Sequence, residues 1–478
     1  MNELPFIGRK AELQRLNDLL KKKTASLVVI KGRRRVGKSR LIEEFARGKR
    51  FIRFSGLPPV KGITDQDQRN EFSQLLSQQT GLPEIQTDDW SKLFLLLAEK
   101  IKVGRVIVLI DEISWMGQND PNFLAKLKNA WDLHYKKNPQ LIFILCGSVS
   151  SWIEKNILSS TGYFGRISEK ITLNELSLSD CNQLLMELGF KRSAMEKLTA
   201  LSLTGGIPWY IEQINPAYSA TDNIKRLCFI PDGILVDEYR HIFHDLFGRR
   251  SAVYEKIANF LAKQSAEYKD IATAIGYSSS GALTEYLHDL QVSGYISKNM
   301  GWELTTGKET SISIYHLTDN YLRFYYRYIR PRMRKINLGE FADVNLATLP
   351  SWSTIMGLQF ENLVLNNRKL IQERLRIRPE DIVASNSYYQ RGTQKHPGCQ
   401  IDLLIQTRLK TLFVCEIKFS TNTLDASVIK KVQEKISRLT IPKGFSCVPV
   451  LIHANELSEE VYEAEYFFEC INIGDFLA

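Results

Sequence analysis

No apolar run in this 478-residue chain approaches the roughly 20 residues that a membrane-spanning helix needs. Long runs such as those at 106–110 and 141–146 have the length of strands. The opening Met1-Asn2-Glu3-Leu4-Pro5 has no signal-peptide hydrophobic stretch, so a cytoplasmic protein with no membrane partner is expected. Cysteine is sparse. The seven residues at 146, 181, 228, 399, 415, 447 and 470 include no C-x-x-C pair. That argues against a zinc site or disulfide framework and for free thiols in a reducing compartment. Internal repeats and low-complexity segments are also missing. With 44% hydrophobic and 24% charged residues the composition is that of globular domains, and the length asks for several of them. A net charge of +10 permits a nucleic-acid partner but is equally compatible with none.

What is there begins with a short buried strand, Leu27-Val28-Val29-Ile30, followed by Gly32-Arg33-Arg34-Arg35-Val36-Gly37-Lys38-Ser39 and then helical spacing at Leu41, Ile42 and Phe45. This is G-x-x-x-x-G-K-S between a strand and a helix, the setting a phosphate-binding loop requires. Glycines at 32 and 37 let the backbone wrap a polyphosphate. The loop N–H groups and the helix N-terminus face the anion. Lys38 reaches the β- and γ-phosphates, and the Ser39 hydroxyl is a Mg²⁺ ligand. The candidate nucleotide-binding residues therefore run from Gly32 to Ser39 and include Arg40.

Further on, Val106-Ile107-Val108-Leu109-Ile110 ends in Asp111-Glu112, which reads as a Walker B strand. Asp111 is the expected Mg²⁺ partner and Glu112 the residue that polarises the attacking water. Another strand, 141–145, leads to Cys146-Gly147-Ser148. Ser148 is either a γ-phosphate sensor between the nucleotide strands or an N-cap for the segment after it. Arg166, in Thr161-Gly162-Tyr163-Phe164-Gly165-Arg166, either stabilises transition-state charge, in its own site or a neighbouring subunit's, or is a surface arginine before the strand at 167–173.

The Phe6-Ile7-Gly8-Arg9 box, the Walker elements and Tyr163-Phe164-Gly165-Arg166 together resemble the archaeal-type AAA+ ATPases, relatives of the STAND signalling NTPases. The resemblance covers about the first 320 residues. It implies ATP and Mg²⁺ as cofactors, adenine contacts from Phe6, Gly8 and Arg9, and Arg166 as the family's arginine candidate, with a protein partner or self-association through it as the expectation. It also implies that Pro208, in Gly205-Gly206-Ile207-Pro208, packs on the adenine. A helix stop followed by proline explains that turn equally. The family's sensor is often Asn or Thr, from which Ser148 departs.

Beyond the core, Ser177-Leu178-Ser179-Asp180 starts a helical lid. From Ser251 the spacing gives three helices and a hairpin, with Ser278-Ser279-Ser280 leading into the third helix, a winged-helix pattern. That helix carries Glu285, His288 and Asp289, so it suits packing better than phosphate contact. The stretch 323–335 interleaves arginines with Phe324, Tyr325, Tyr326 and Tyr328. It fits either a nucleic-acid strand or an interdomain helix that buries its rings and extends its arginines to water.

After residue 350 the order reads α-β-β-β-α-β. Asp402 falls on one strand, and Glu416 and Lys418 share a face of the next. Two carboxylates on adjacent strands are an oxygen-ligand set for Mg²⁺, with Lys418 beside them to handle a water and Glu361 from the preceding helix to complete the shell. Ile401-Asp402 and Glu416-Ile417-Lys418 resemble the PD-(D/E)XK nuclease signatures, in particular the nuclease-like domain of unknown function found behind archaeal-type ATPases. The resemblance covers about 120 residues and implies Gln433 as a further site position. A non-cleaving version of the fold remains the alternative. Arg368, Lys369, Arg374, Arg376, Arg378, Lys430 and Lys431 are candidates to flank DNA.

The expected class is α/β: a P-loop NTPase core (1–175), a helical lid (176–245), a winged-helix domain (246–320), a linker helix (321–350) and a restriction-endonuclease-like α/β domain (351–478). The expected activity is ATP hydrolysis coupled to a DNA-directed nuclease-like domain. The rival is a STAND-like switch whose last domain only binds DNA or protein.

Overall fold

The computed structural model describes residues 4–60, 62–247, 251–277, 281–392, 394 and 397–478. The serines at 278–280, expected to lead into the third helix of the hairpin region, lie outside the described residues. The chain forms two compact units. The first comprises Met1–Glu175, His241–Ser251 and Thr284–Tyr295. The second comprises Leu176–Arg240, Ala252–Leu283 and Ile296–Ala478.

The first unit is built on a five-stranded sheet of β1 (Ser26–Gly32), β2 (Arg50–Ser55), β3 (Val106–Asp111), β4 (Leu141–Gly147) and β5 (Ile167–Leu173). Its order is β2-β3-β4-β1-β5, and every pair is parallel. The three central strands β3, β4 and β1 are buried almost throughout, as a parallel sheet covered on both faces requires. This is why their sequences read as unbroken apolar runs. Helix α1 (Lys38–Ala46) leaves β1 through the phosphate loop, and α2 (Pro121–Leu133) starts from an Asp120 cap with proline in its first turn. One face is filled by aromatic rings. Phe54 stacks on Phe72 with centroids 4.0 Å apart, and Trp90, Phe94 and Phe123 close around them.

The second unit holds α3 (Ala194–Thr204) among the helices that follow residue 176, and two sheets. The smaller, β6 (Ala266–Glu267), β7 (Ile296–Trp302) and β8 (Glu309–Leu317), has the order β6-β8-β7 and is antiparallel. The larger contains β9 (Ile382–Gln390), β10 (Cys399–Thr407), β11 (Thr411–Lys418), β12 (Ser446–His453) and β13 (Glu469–Asn472), in the order β13-β12-β11-β10-β9. Its β9–β10–β11 half is antiparallel and its β11–β12–β13 half parallel. Helix α4 (Trp352–Asn366) precedes it, and α5 (Ser427–Arg438) makes the crossover from β11 to β12. The expected element order holds, with the helices Arg368–Arg374 and Glu459–Glu463 and strand β13 added. The hairpin is not independent of this sheet. Trp302 lies in the same apolar cluster as Ile401 and Leu404, and its indole N–H donates to Gln406 Oε1 at 2.8 Å.

The basic-aromatic stretch buries its rings. Tyr326 Oη donates to Glu255 O at 3.1 Å and Tyr328 Oη to Pro350 O at 3.2 Å, and just ahead of the stretch Tyr321 Oη donates to Leu235 O at 2.7 Å. Rings so fixed are not free to stack on bases, which selects the interdomain reading over the nucleic-acid one. Arg323 is itself buried. It donates to Leu317 O at 2.7 Å and Gln359 Oε1 at 3.1 Å. Gln359 in turn donates to Ser202 O at 2.8 Å and Asn320 O at 2.7 Å, so one side chain ties α3, the turn Asn320–Phe324 and α4 together. Burying a guanidinium is costly unless its donors are met. Replacing Gln359 with Leu is therefore expected to cost about 2–3 kcal/mol, because it strands Arg323 and two carbonyls. Denaturant unfolding of the full chain measures it.

Candidate functional sites

In the first unit the phosphate loop has the backbone its sequence demands. Gly32 sits at φ 154°, Arg35 at 69° and Gly37 at 91°. A Cβ on Gly32 would lie 2.5 Å from Leu173 O, so β5 as well as the phosphate path requires glycine there. Val36 is fully buried under the loop. Lys38 donates to Gly32 O at 2.9 Å and Arg33 O at 3.0 Å, which holds its ammonium at the loop. Arg33 pairs with Glu175 at 3.1 Å and lies over the Tyr295 ring, while Arg34 and Arg35 are partly buried. The N-terminal box is fastened to this loop. Gly8 and Arg9 both adopt positive φ, and Arg9 donates to Val36 O at 3.1 Å and Asn174 O at 2.6 Å. Arg40 donates to Leu4 O, two residues before the partly buried Phe6.

The Walker B acids meet the loop from β3. Ser39 Oγ donates to Asp111 Oδ2 at 2.9 Å, so the two expected Mg²⁺ partners are in contact. Glu112 takes a left-handed backbone (φ 48°, ψ 48°), a strained conformation for a non-glycine residue and one that clusters at functional sites. Its Oε2 accepts from both Ser148 N at 2.9 Å and Ser148 Oγ at 2.8 Å. Because β4 lies between β1 and β3, Ser148 belongs to the Glu112 network. The N-cap alternative fails: the following helix is capped at Val149 without a side-chain bond. Arg166 is neither a bare surface residue nor an unattached one. It makes a two-pronged pair with Asp132 of α2, both contacts at 2.9 Å, and with Lys128 it holds that carboxyl well below the usual range. Arg53 escaped the sequence reading. From edge strand β2 it donates to Asp111 Oδ2 at 2.8 Å and to Glu43 Oε1 at 2.6 Å. A glycine-lined loop, a lysine, a hydroxyl touching an acid and a second acid fit a nucleoside triphosphate with Mg²⁺. Pro208 opens the short helix Pro208–Ile211 in the second unit.

In the second unit β10 and β11 bring Asp402, Glu416 and Lys418 together. Asp402 Oδ2 accepts from Ile417 N at 3.0 Å, and Lys418 Nζ lies 2.7 Å from Glu416 Oε1. The expected three-carboxylate shell of Glu361, Asp402 and Glu416 does not form. Among the described residues no three His, Cys, Asp or Glu side chains group to hold a metal ion. The reason is a lysine. Lys435 of α5 donates to Glu416 Oε2 at 2.6 Å and Asp402 Oδ1 at 3.2 Å. Gln433, the position implied by resemblance, is exposed, and the residue two further on points inward instead. A signal was present: Val428, Ile429 and Val432 are the buried stripe of α5, and Lys435 continues it at helical spacing. Burial pulls the Lys435 ammonium down, but the two acids outweigh it and its net shift is upward. Asp402 is raised by burial and then by Glu416. Tyr389 of β9, also missed, has a hydroxyl raised by burial and then by Glu361. Of the candidate DNA-flanking residues, Arg374 pairs with Glu469 at 3.2 Å and Arg378 with Asp381 at 2.9 Å, while Lys430 and Lys431 are exposed.

Residues 6–214 match the family model of an ATPase domain predominantly from Archaea. Residues 325–434 match a model of archaeal and bacterial proteins of unknown function. An uncharacterized protein of Methanocaldococcus jannaschii is 26% identical over 361 residues, 75% of this chain and 76% of that protein. Among solved structures, a Walker-type ATPase of Pyrococcus abyssi is similar at 18% identity and a TM-score of 0.50, over 67% of this chain and 96% of its own. The ORC2 protein of Aeropyrum pernix is similar at 14% identity and a TM-score of 0.40, over 70% of this chain and 97% of its own. The first unit thus carries a P-loop ATPase domain. No helix among the described residues is long and apolar enough to cross a membrane.

Glu361 provides a test of the second site. Burial, then the Asp402 charge, pushes its carboxyl up to about 7 from 4.5, against the pull of Arg323, Lys435 and Lys418. The folded chain then keeps a proton that the unfolded chain releases, so stability falls as pH rises from about 4.5 to about 7. Glu361→Gln removes that penalty. It is expected to stabilise the chain by about 1–2 kcal/mol at pH 8 and by almost nothing at pH 5, as thermal unfolding at the two pH values would show.

Proposed function

We propose that this chain is a Mg²⁺-dependent ATPase whose nucleotide state controls a C-terminal, nuclease-like, DNA-directed domain. The observation that carries the ATPase half is the unbroken contact from Ser39 to Asp111 at the loop and from Glu112 to Ser148 beside it. Ser39 and Asp111 are the residues to hold Mg²⁺, whose charge neutralises phosphate oxygens. Lys38 binds the phosphates, Glu112 accepts a proton from the attacking water, and Ser148 holds the Glu112 carboxylate in position. Phe6, Gly8 and Arg9 flank the base. Arg166 serves a neighbouring copy once it is released from Asp132.

Support for the second half is the mixed sheet that sets Asp402, Glu416 and Lys418 on adjacent strands beneath α5. The helices Ser251–Leu261, Tyr268–Ile275 and Gly281–Val292 with the β7–β8 hairpin follow winged-helix order, and the acidic third helix favours a packing role for them. Lys430 and Lys431 offer phosphate contacts. The non-cleaving switch is favoured by one specific observation, the lysine lodged between the two acids.

Glu112→Gln separates binding from hydrolysis. ATP should still raise the melting temperature of the variant, while turnover falls at least about 100-fold. DNA affinity of the ATP-loaded variant should then differ from that of ADP-loaded wild type. Equal affinities in the two states would remove the coupling, and no ATP-dependent rise in melting temperature would remove the ATPase.

A further inference from the structure

Three of the four carboxylate oxygens of the Asp402–Glu416 pair accept hydrogen bonds from described residues of this chain, and the fourth, Glu416 Oε1, has an ion-pair contact alone. Asp402 Oδ2 takes the Ile417 N–H, and Asp402 Oδ1 takes the Lys435 ammonium at 3.2 Å. Glu416 Oε2 takes the same ammonium at 2.6 Å, and Glu416 Oε1 lies 2.7 Å from Lys418 Nζ. Glu416 is only 2% exposed, so its charge has little access to water and depends on these partners. A divalent ion held by this pair needs the oxygens that face Lys435. The residues as they stand do not fit one.

We propose that Lys435 is a built-in counter-ion that keeps divalent metal off Asp402 and Glu416, so that metal enters only when this side chain withdraws. The inference rests on the reading of Asp402 and Glu416 as the metal-facing acids. Three features support it beyond the contacts themselves. The acid pair is matched without metal, since Asp402 and Glu416 face Lys418 and Lys435. Adding a dication would leave an excess of positive charge in a largely buried place. The lysine can also leave without unfolding anything. Helix α5 is anchored by Val428, Ile429 and Val432, and the Lys435 carbonyl accepts from Cys399 Sγ at 3.2 Å. Only the four-carbon stem has to swing. It has somewhere to go, because the side chain is 29% exposed. Lys418 is a poorer candidate for the bar, since it touches one acid and stands to the side of the pair.

Mn²⁺ binding by the full chain without nucleotide tests this, with free Mn²⁺ read by electron paramagnetic resonance. Lys435→Met should bind one Mn²⁺ at least tenfold more tightly than wild type, and the double variant Lys435→Met/Asp402→Asn should lose that ion. Lys435→Gln should behave as Lys435→Met does, because it also lacks the charge. Wild-type-like far-ultraviolet circular dichroism and a cooperative denaturant transition of the second unit, retained in each variant, show that the chain is folded. Wild type binding Mn²⁺ through Asp402 as tightly as Lys435→Met would overturn the counter-ion role and leave the metal-centre reading standing. Mn²⁺ binding by neither protein would overturn both.

Discussion

A carboxylate taken out of water needs a positive partner, and both sites of this chain are organised by that requirement. In the first unit Asp111 is 4% exposed and accepts from Ser39 and Arg53. In the second, Glu416 is as deeply placed and is met by Lys435 and Lys418. Leaving either acid bare would cost several kcal/mol, more than most single packing defects. The elements around each acid are therefore constrained to deliver a cation. Edge strand β2 brings Arg53, and crossover helix α5 brings Lys435. In each case the partner comes from an element next to the strand that bears the acid.

The two solutions differ in permanence. Arg53 is anchored by Glu43 as well as Asp111, and its side chain is 39% exposed at the edge of the sheet. A guanidinium there can shift toward Glu43 while Ser39 and Asp111 stay in contact. Among the described residues the Lys435 ammonium has no second anchor outside the acid pair. Its departure exposes two like charges to each other, which holds it in place until another positive charge arrives or a negative one draws it off. Acid–base geometry that looks complete for catalysis is in this sense also complete for rest.

Much of this was legible in the residues. The buried parallel strands announced themselves as apolar runs, and the phosphate loop by glycine spacing between a strand and a helix. Two successive apolar runs set Asp402 on the strand before that of Glu416 and Lys418, and the period of two set the latter pair on one face of β11. What escaped were partners supplied by tertiary contact. Arg53 reads as an ordinary outward residue of a strand, and nothing in its neighbours tells that β2 will lie beside β3. Asp132, which holds Arg166, is separated from it by 34 residues. Lys435 was the exception, because a lysine on the apolar stripe of an amphipathic helix signals a buried anion. The reading went instead to Gln433, by analogy, and missed it. The rings of 321–328 illustrate the opposite difficulty: basic-aromatic composition is the same for a strand-binding surface and for a buried helix, and only the hydroxyl partners decide.

Those rings lead to the polar network in the second unit. Arg323 is deeply buried among Leu317, Leu358 and Gln359, with Glu361 two residues further along α4. Gln359 reaches back to α3 through Ser202, and Asn362 donates to Leu317 O at 3.1 Å. Helix α3 also receives the end of the chain, where Lys197 donates to Leu477 O at 2.6 Å. A network bonded at this many points has few alternative arrangements, since moving one member strands several others, and Arg323 Nε already finds no acceptor among the described residues. Any displacement of α3 therefore either carries α4 along as a rigid piece or breaks bonds to a buried charge. Because α4 bears Glu361, whose neighbours include Asp402, Lys418 and Lys435, a rigid displacement alters the field at the acid pair without touching it. Mechanical linkage within this unit thus needs no flexible relay, only the cost of leaving Arg323 unpaired.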